Sequence, residues 1–255
     1  MLIRIFVLLL VTASFSLYAQ DETVIPDSLK KEIESRNAQE LMEGITAEQI
    51  VEKYVDAIGG VDALMNIQDR TTIMRGTAMG QSLTILVYQK APNLLKQQIK
   101  VGGMSQDIIF NGEKGVMKFA EQKMDITGEE LERLKIEASI DVMYNLPKYG
   151  IKLNLLGIEN INNKPAYKVE FTYASGMKSQ KFFDVASSLI VKEFEVLNTA
   201  QGSFNRETYL DDYRDSEGVM VPYKITQNMG PQQMEFTVSS VKVNTGIKEE
   251  IFKIE

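Results

Sequence analysis

Three pairs of adjacent carboxylates, Asp211-Asp212, Glu129-Glu130 and Glu249-Glu250, are the side chains here with the type and spacing to attempt catalysis. A carboxylate pair can run glycoside hydrolysis, with one group as acid and the other as base or nucleophile. Their placement argues against it. Neighbours on a strand point to opposite faces, which separates Asp211 from Asp212. The glutamate pairs fall at a helix start and in the tail, where acidic residues are ordinarily solvated. No histidine and no cysteine occurs in the 255 residues. That excludes Ser-His-Asp and Cys-His nucleophiles, an imidazole base and ordinary transition-metal sites, together with disulfides and a lipid attached through cysteine. Gly76, Gly80, Gly102-Gly103 and Gly112 make no phosphate loop, because none opens a helix with a Lys-Ser or Lys-Thr ending. The expectation is a protein without catalytic residues, metal or cofactor.

The positive signal is apolar and flexible. Thirteen methionines are present, among them Met74, Met104, Met117, Met124 and Met143. Thioether side chains fill irregular space, either as core or as the wall of a cavity that accepts varied apolar ligands. Both readings stay open on spacing alone.

The element around which the chain is organised is Thr46 to Ile67. Thr46 with Gln49 forms a capping-box start, and Ile50, Val51, Tyr54, Val55 and Ile58 recur at helical spacing on one side. Gly59-Gly60 ends the helix, and Val61, Leu64, Met65 and Ile67 continue as a second apolar turn. From Asp69 the period becomes two. Leu83, Ile85 and Val87 alternate with Thr84, Leu86 and Tyr88, and Tyr167, Val169, Phe171 and Tyr173 share a face opposite Ala166, Lys168, Glu170 and Thr172, which predicts one wet face in the second half. Turn residues such as Pro92-Asn93, Asn111-Gly112, Asn162-Asn163 and Ser216 to Gly218 join consecutive strands as antiparallel hairpins. Between the halves, Thr127 with Glu130 predicts a second capping box, and the insert 127–146 is either a lid or a packed connector. The helix at 46–67 thus reads as an apolar plug on one face of a large sheet.

Met1 to Ala19 combines a basic start at Arg4, an apolar run from Ile5 to Val11 and a small-residue end before Gln20, the pattern of a signal peptide. Residues 20–45 are polar, a linker with a loosely patterned helix, and 46–255 is the folded domain. No later stretch approaches the roughly 20 apolar residues of a membrane span. Net charge is −7, and loss of Arg4 with the leader makes it more negative, which argues against nucleic acid as a partner.

The helix ending IGGVDAL (Ile58 to Leu64), the turn FNGEKG (Phe110 to Gly115), the hairpin DYRDSEGVMVPYKI (Asp212 to Ile225) and the closing VKVNTGIKEEIF (Val241 to Phe252) resemble the outer-membrane lipoprotein-sorting (Lol) carrier-like superfamily. They are similar in particular to a form found alone or appended to insulinase-type zinc peptidases of Gram-negative bacteria. The resemblance covers about Thr46 to Phe252. It implies a mainly β (α+β) fold, a curved half-open antiparallel β-barrel with helices covering its concave face, and an apolar ligand such as a lipid or acyl chain held in the periplasm. The lid-latching arginine of the classical carriers matches no position here, and the peptidase zinc motif has no counterpart without histidine. The combined expectation is a barrel of roughly ten strands with a cavity lined by Tyr54, Ile58, Met74, Ile85, Val87, Ile99, Phe110, Met117, Leu134 and Met143. Its function is non-catalytic ligand carriage; the alternative is an interaction module serving an envelope protein or peptidase partner, with the same interior as plain core.

Overall fold

Every period-two stretch becomes a strand paired with its sequence neighbour. The computed structural model describes residues 36–78, 80–199, 202–230 and 232–254. The expected signal peptide, 1–19, and most of the 20–45 linker lie outside the described residues. Leu41–Glu255 forms one compact unit; of the preceding unit, residues 36–40 are described and are helical.

One antiparallel sheet of thirteen strands contains β1 (Asp69–Ala78), β2 (Gln81–Lys90), β3 (Leu94–Val101), β4 (Met104–Phe110), β5 (Gly115–Phe119) and β6 (Gln122–Ile126) as a first meander. The second meander is β7 (Lys152–Ile161), β8 (Lys164–Thr172), β9 (Lys178–Asp184), β10 (Ile190–Thr199), β11 (Gly202–Ser216), β12 (Val219–Met229) and β13 (Gln232–Val243). Pairing of β1 with β13, Thr72 opposite Val241, joins the two, and β6 and β7 are left as unpaired edges, so the curved sheet stays a half-open barrel. Thirteen strands exceed the expected ten because some turns carry no sequence signal. The β5–β6 hairpin turns at Ala120 with φ +51, where neither glycine nor asparagine marks it.

Three helices cover the concave side: α1 (Ala47–Ala57), α2 (Gly60–Met65) and α3 (Gly128–Ala138). The first capping box forms, with Gln49 N–H donating to Thr46 Oγ1 at 3.2 Å and Thr46 N–H to Gln49 Oε1 at 2.9 Å. Ile50, Val51, Val55 and Ile58 of α1 are buried in one core with Val169, Phe171, Phe183 and Val219 of the sheet. The Ile58 carbonyl accepts from Met220 N–H at 3.0 Å, which seats the helix end on β12. Gly59 is required at this seat: its φ is +129, and a Cβ there would lie 2.5 Å from the Gly218 carbonyl oxygen.

The second capping box does not form. Thr127 makes no side-chain cap hydrogen bond, and Gly128 directly after it takes φ +61, so the chain turns where a capping hydroxyl needs a regular first turn beneath it. Leu134 and Ala138 of α3 are buried with Leu95, Phe110 and Ile126, and Leu131 packs against them. The second half's outer face is also less wet than its alternation predicts. Ile161, Ala166 and Phe182 form a small buried cluster there, with the Lys168 and Lys192 ammonium groups 5.4 and 5.2 Å from the Phe182 ring centre, cation–π contacts that cover apolar surface.

The joint between the meanders is locked by Asp69. Its carboxylate, 3% exposed, accepts from Thr245 N–H (2.8 Å), Thr245 Oγ1 (3.1 Å), Gly246 N–H (2.9 Å) and Ile247 N–H (3.1 Å). Burial pushes this carboxyl up, but the four donors outweigh burial and its pKa lies below the ordinary value. A depressed folded-state pKa contributes stability that is fully present above the unfolded value of about 3.9 and is lost as pH falls through the lower folded value. Asp69→Asn is therefore expected to cost about 2–3 kcal/mol at pH 7, the scale of a charged hydrogen bond turned to a clash with an N–H donor. Denaturant melts from pH 7 down to pH 2 should show the gap to wild type closing on acidification; a gap independent of pH would contradict the role assigned to the carboxylate.

Candidate functional site

Between α1, α2, the 127–150 insert and the concave face lies a cavity of about 360 Å³. The insert forms one wall, through Ile136 and Glu137 of α3 and through Ile140, Val142, Met143 and Leu146 beyond it. Ile58 and Leu64 of the plug form another, and Val219 and Val221 of β12 a third. Of the ten residues expected to line a cavity, Tyr54, Ile58 and Met143 line this one. Val87, Phe110, Met117 and Leu134 instead belong to the packed cluster beneath α3, where Phe110 has no exposed surface. There the helix lies so close to the sheet that a Cβ on Gly115 would sit 2.8 Å from Leu134 Cδ2. Met74, Ile85 and Ile99 are cross-strand neighbours in one half-buried row of the concave face and are not walls of this cavity.

The polar groups of the cavity went unnoticed in the sequence: Arg70, Gln89, Glu137, Tyr173, Lys181 and Glu193. Parity was the available signal. Arg70 and Gln89 stand opposite each other on β1 and β2, in phase with the inward residues Met74 and Ile85, and Lys181 alternates in phase with buried Phe183. Arg70 donates through Nε (3.0 Å) and Nη2 (2.6 Å) to Gln89 Oε1, and Gln89 Nε2 donates to the Glu137 carbonyl on α3 at 2.8 Å. Lys181 pairs across strands with Glu193, and that ion pair raises the lysine pKa although burial alone would lower it.

A second cavity of about 130 Å³ shares Glu137, Lys181 and Glu193 and leads to a buried ion-pair group. Glu195 of β10 receives Arg133 Nε of α3 at 2.9 Å and Arg206 Nε of β11 at 2.7 Å, and Arg133 also meets Glu129 at 3.1 Å. Burial would raise the Glu195 carboxyl, but Arg206 first and then Arg133 hold it below its ordinary value. After α3, Asp141 gathers Lys148 Nζ (2.6 Å), Asn145 Nδ2 (3.1 Å) and the Tyr149 hydroxyl into a knot that shapes the rest of the insert. The carboxylate pairs singled out in the sequence lie apart from the main cavity. Asp212 is exposed and paired with Arg214 at 2.5 Å, Glu129 holds Arg133, and Glu249-Glu250 are exposed near the C-terminus. Among the described residues no group of His, Cys, Asp or Glu could hold a metal ion, and no helix is long and apolar enough to cross a membrane.

No family model and no curated protein matches the sequence. Solved structures do match. A LolA superfamily protein from Nitrosomonas europaea superposes with a TM-score of 0.55 at 16% identity, covering 83% of this chain and 99% of that one. A domain named for outer membrane lipoprotein sorting, from Vibrio parahaemolyticus, gives 0.51 at 12% identity, covering 81% and 95%. A DUF1329 family protein from Desulfovibrio piger gives 0.55 at 11% identity, covering 81% and 97%. The chain has a Lol-type fold. Within that Lol-type barrel, α3 is attached to both halves of the sheet, by apolar packing to β3–β5 and by Arg133 to β10. Arg133→Met keeps the stem and removes the charge, and Arg206 still serves Glu195. The expected result is a loss of about 0.5–1 kcal/mol, with amide exchange in α3 faster by several-fold and exchange in α1 unchanged. Equal protection of α3 in both proteins would show that apolar packing alone holds it.

Proposed function

We propose that this chain is a non-catalytic carrier of an apolar ligand, a lipid or a lipoprotein acyl chain, working in the periplasm after export by the leader at 1–19. The observation that carries this reading is the 360 Å³ cavity itself. Small-molecule sites span about 300–1,000 Å³, and their walls are apolar with a few placed polar groups, as here. A Lol-type barrel supports it, since relatives of this fold include one named for lipoprotein sorting. The insert, forming one wall of the cavity and lying across the gap between two unpaired sheet edges, serves as the gate through which a chain enters.

Protein purified from its own envelope is expected to release lipid on organic extraction, and the stripped protein to take up the uncharged fluorophore N-phenyl-1-naphthylamine. Val221→Trp places an indole in the cavity from β12 and should weaken that uptake by about ten-fold or more, with the melting temperature near wild type. Absence of both extractable lipid and probe uptake in the wild type would end the carrier reading. Undiminished uptake in a folded Val221→Trp protein would move the ligand out of this cavity.

A further inference from the structure

Arg70 is unlike the other cations of the barrel interior. Lys181 is neutralised by Glu193, and Arg133 and Arg206 share Glu195, with Glu137 Oε1 a further 3.9 Å from Arg206. Arg70 forms no ion pair among the described residues. A guanidinium has five N–H donors and keeps its charge at any physiological pH. Two of them converge on the single Gln89 Oε1, and Nη1 has no partner among the described residues. Gln89 is 7% exposed and fixed in turn by α3, so the guanidinium is held at the cavity wall as a positioned, uncompensated charge. Such a charge is costly to enclose unless something pairs with it.

A second donor lines the same cavity. The Tyr54 ring is fixed by an edge-on contact with Phe183, 5.6 Å between centroids, and its hydroxyl makes no hydrogen bond among the described residues although Tyr54 lines the same cavity. Burial pushes its pKa up to about 12, and Arg70, Lys181 and Glu193 are the charges that act on it, so it remains a neutral phenol able to donate. Two donors with unused capacity, one of them charged, therefore border a cavity that has an apolar wall at Ile58, Leu64, Val142 and Met143 and also holds Glu137 and the paired Lys181 and Glu193.

We propose that Arg70 and Tyr54 form a head-group site, and that the ligand is a single-chain amphiphile with an anionic head, a long-chain carboxylate or phosphate monoester. The head accepts from Arg70 and from the Tyr54 hydroxyl, and the chain runs along the apolar walls. The volume favours one chain: 360 Å³ is near the lower end of the ~300–1,000 Å³ range of ligand sites, too little for the two or three chains of a phospholipid or a triacylated protein. This inference rests on the carrier reading and narrows it to a ligand class.

The test compares heads on one chain length. Lipid-stripped full chain is titrated with palmitate, hexadecyl phosphate and hexadecanol by displacement of N-phenyl-1-naphthylamine, and with inorganic phosphate by calorimetry. Both anionic amphiphiles are expected to bind about ten-fold or more tighter than the alcohol, the effect of one charge-assisted hydrogen bond, and inorganic phosphate not to bind measurably. Arg70→Gln should abolish the preference of the two anions over hexadecanol; Tyr54→Phe should lose a smaller part of the same preference. If the probe and hexadecanol bind as tightly as the anions, the head-group site is wrong while the carrier survives. If none of the four apolar molecules binds, the carrier reading itself fails. Inorganic phosphate binding as tightly as hexadecyl phosphate would overturn the amphiphile in favour of a free-anion site. Should Arg70→Gln fail to fold, the wild-type ratio of palmitate to hexadecanol and the Tyr54→Phe protein decide the matter without it.

Discussion

The pairing of β1 with β13 is the constraint on which the rest of the molecule depends. Each meander is built from local hairpins and needs only its own turns. A concave face exists only once residues far apart in sequence, such as Thr72 and Val241, are brought into register. The chain spends much polar chemistry on this joint. Besides the Asp69 carboxylate, Asn244 bridges Gln68 N–H and the Asn66 carbonyl, and Lys90 Nζ reaches the Ile247 carbonyl at 2.7 Å. The C-terminal segment is thereby folded back onto the start of the sheet, with Phe252 buried.

Once the face exists it must be covered, and the chain divides the task between two elements. The plug α1 presents a regular apolar stripe and packs tightly, with Gly59 admitting the Gly218 carbonyl at its end. The insert is held differently. Its apolar side sinks onto β3–β5 over Gly115, whereas Arg133 ties it to Glu195 of β10 and the Glu137 carbonyl to Gln89 of β2, and the Asp141 knot braces the insert internally. Apolar packing is broad and insensitive to orientation, while ion pairs and single hydrogen bonds are directional and separable. The cavity lies between these two covers, lined by Tyr54 and Ile58 from the plug and by Ile136, Val142 and Met143 from the insert.

The cavity is also where the structure tolerates most cost. Polar and charged groups inside a barrel are stable only when paired. The interior obeys that rule at Lys181–Glu193 and around Glu195, whereas Arg70 has no ion pair and Tyr54 no side-chain hydrogen bond among the described residues, and both line a cavity whose walls mix aliphatic side chains with Glu137, Lys181 and Glu193. Both donors line the cavity between plug and insert, so the unmet hydrogen-bonding capacity and space to meet it are found together.

Much of the architecture was legible in the residues. The capping box at Thr46, the glycine stop, the period-two runs and the hairpin turns are local signals, set by side-chain spacing and backbone freedom, and they led to a plug helix on one face of a large antiparallel sheet; the half-open barrel was what the family resemblance implied. Strand number was legible only as far as turns announce themselves, and Ala120 turned without doing so. The site was less legible. Tyr54 and Ile58 were placed at the cavity by helical spacing and Met143 by the adaptability of methionine, but Phe110, Met117 and Leu134 had as good a claim and became packed core. Periodicity tells which side of the sheet a residue faces and cannot tell how closely the covering helix approaches; Gly115, with no side chain, let α3 descend there. Arg70 and Gln89 were readable as inward by parity, yet their significance depended on where the carboxylates of distant strands came to lie. Local preference determined the elements and their faces, whereas the pairing of β1 with β13 and the seating of α3 decided which apolar residues surround space and which inward cation has no ion pair among the described residues, because both are contacts between segments far apart in the chain.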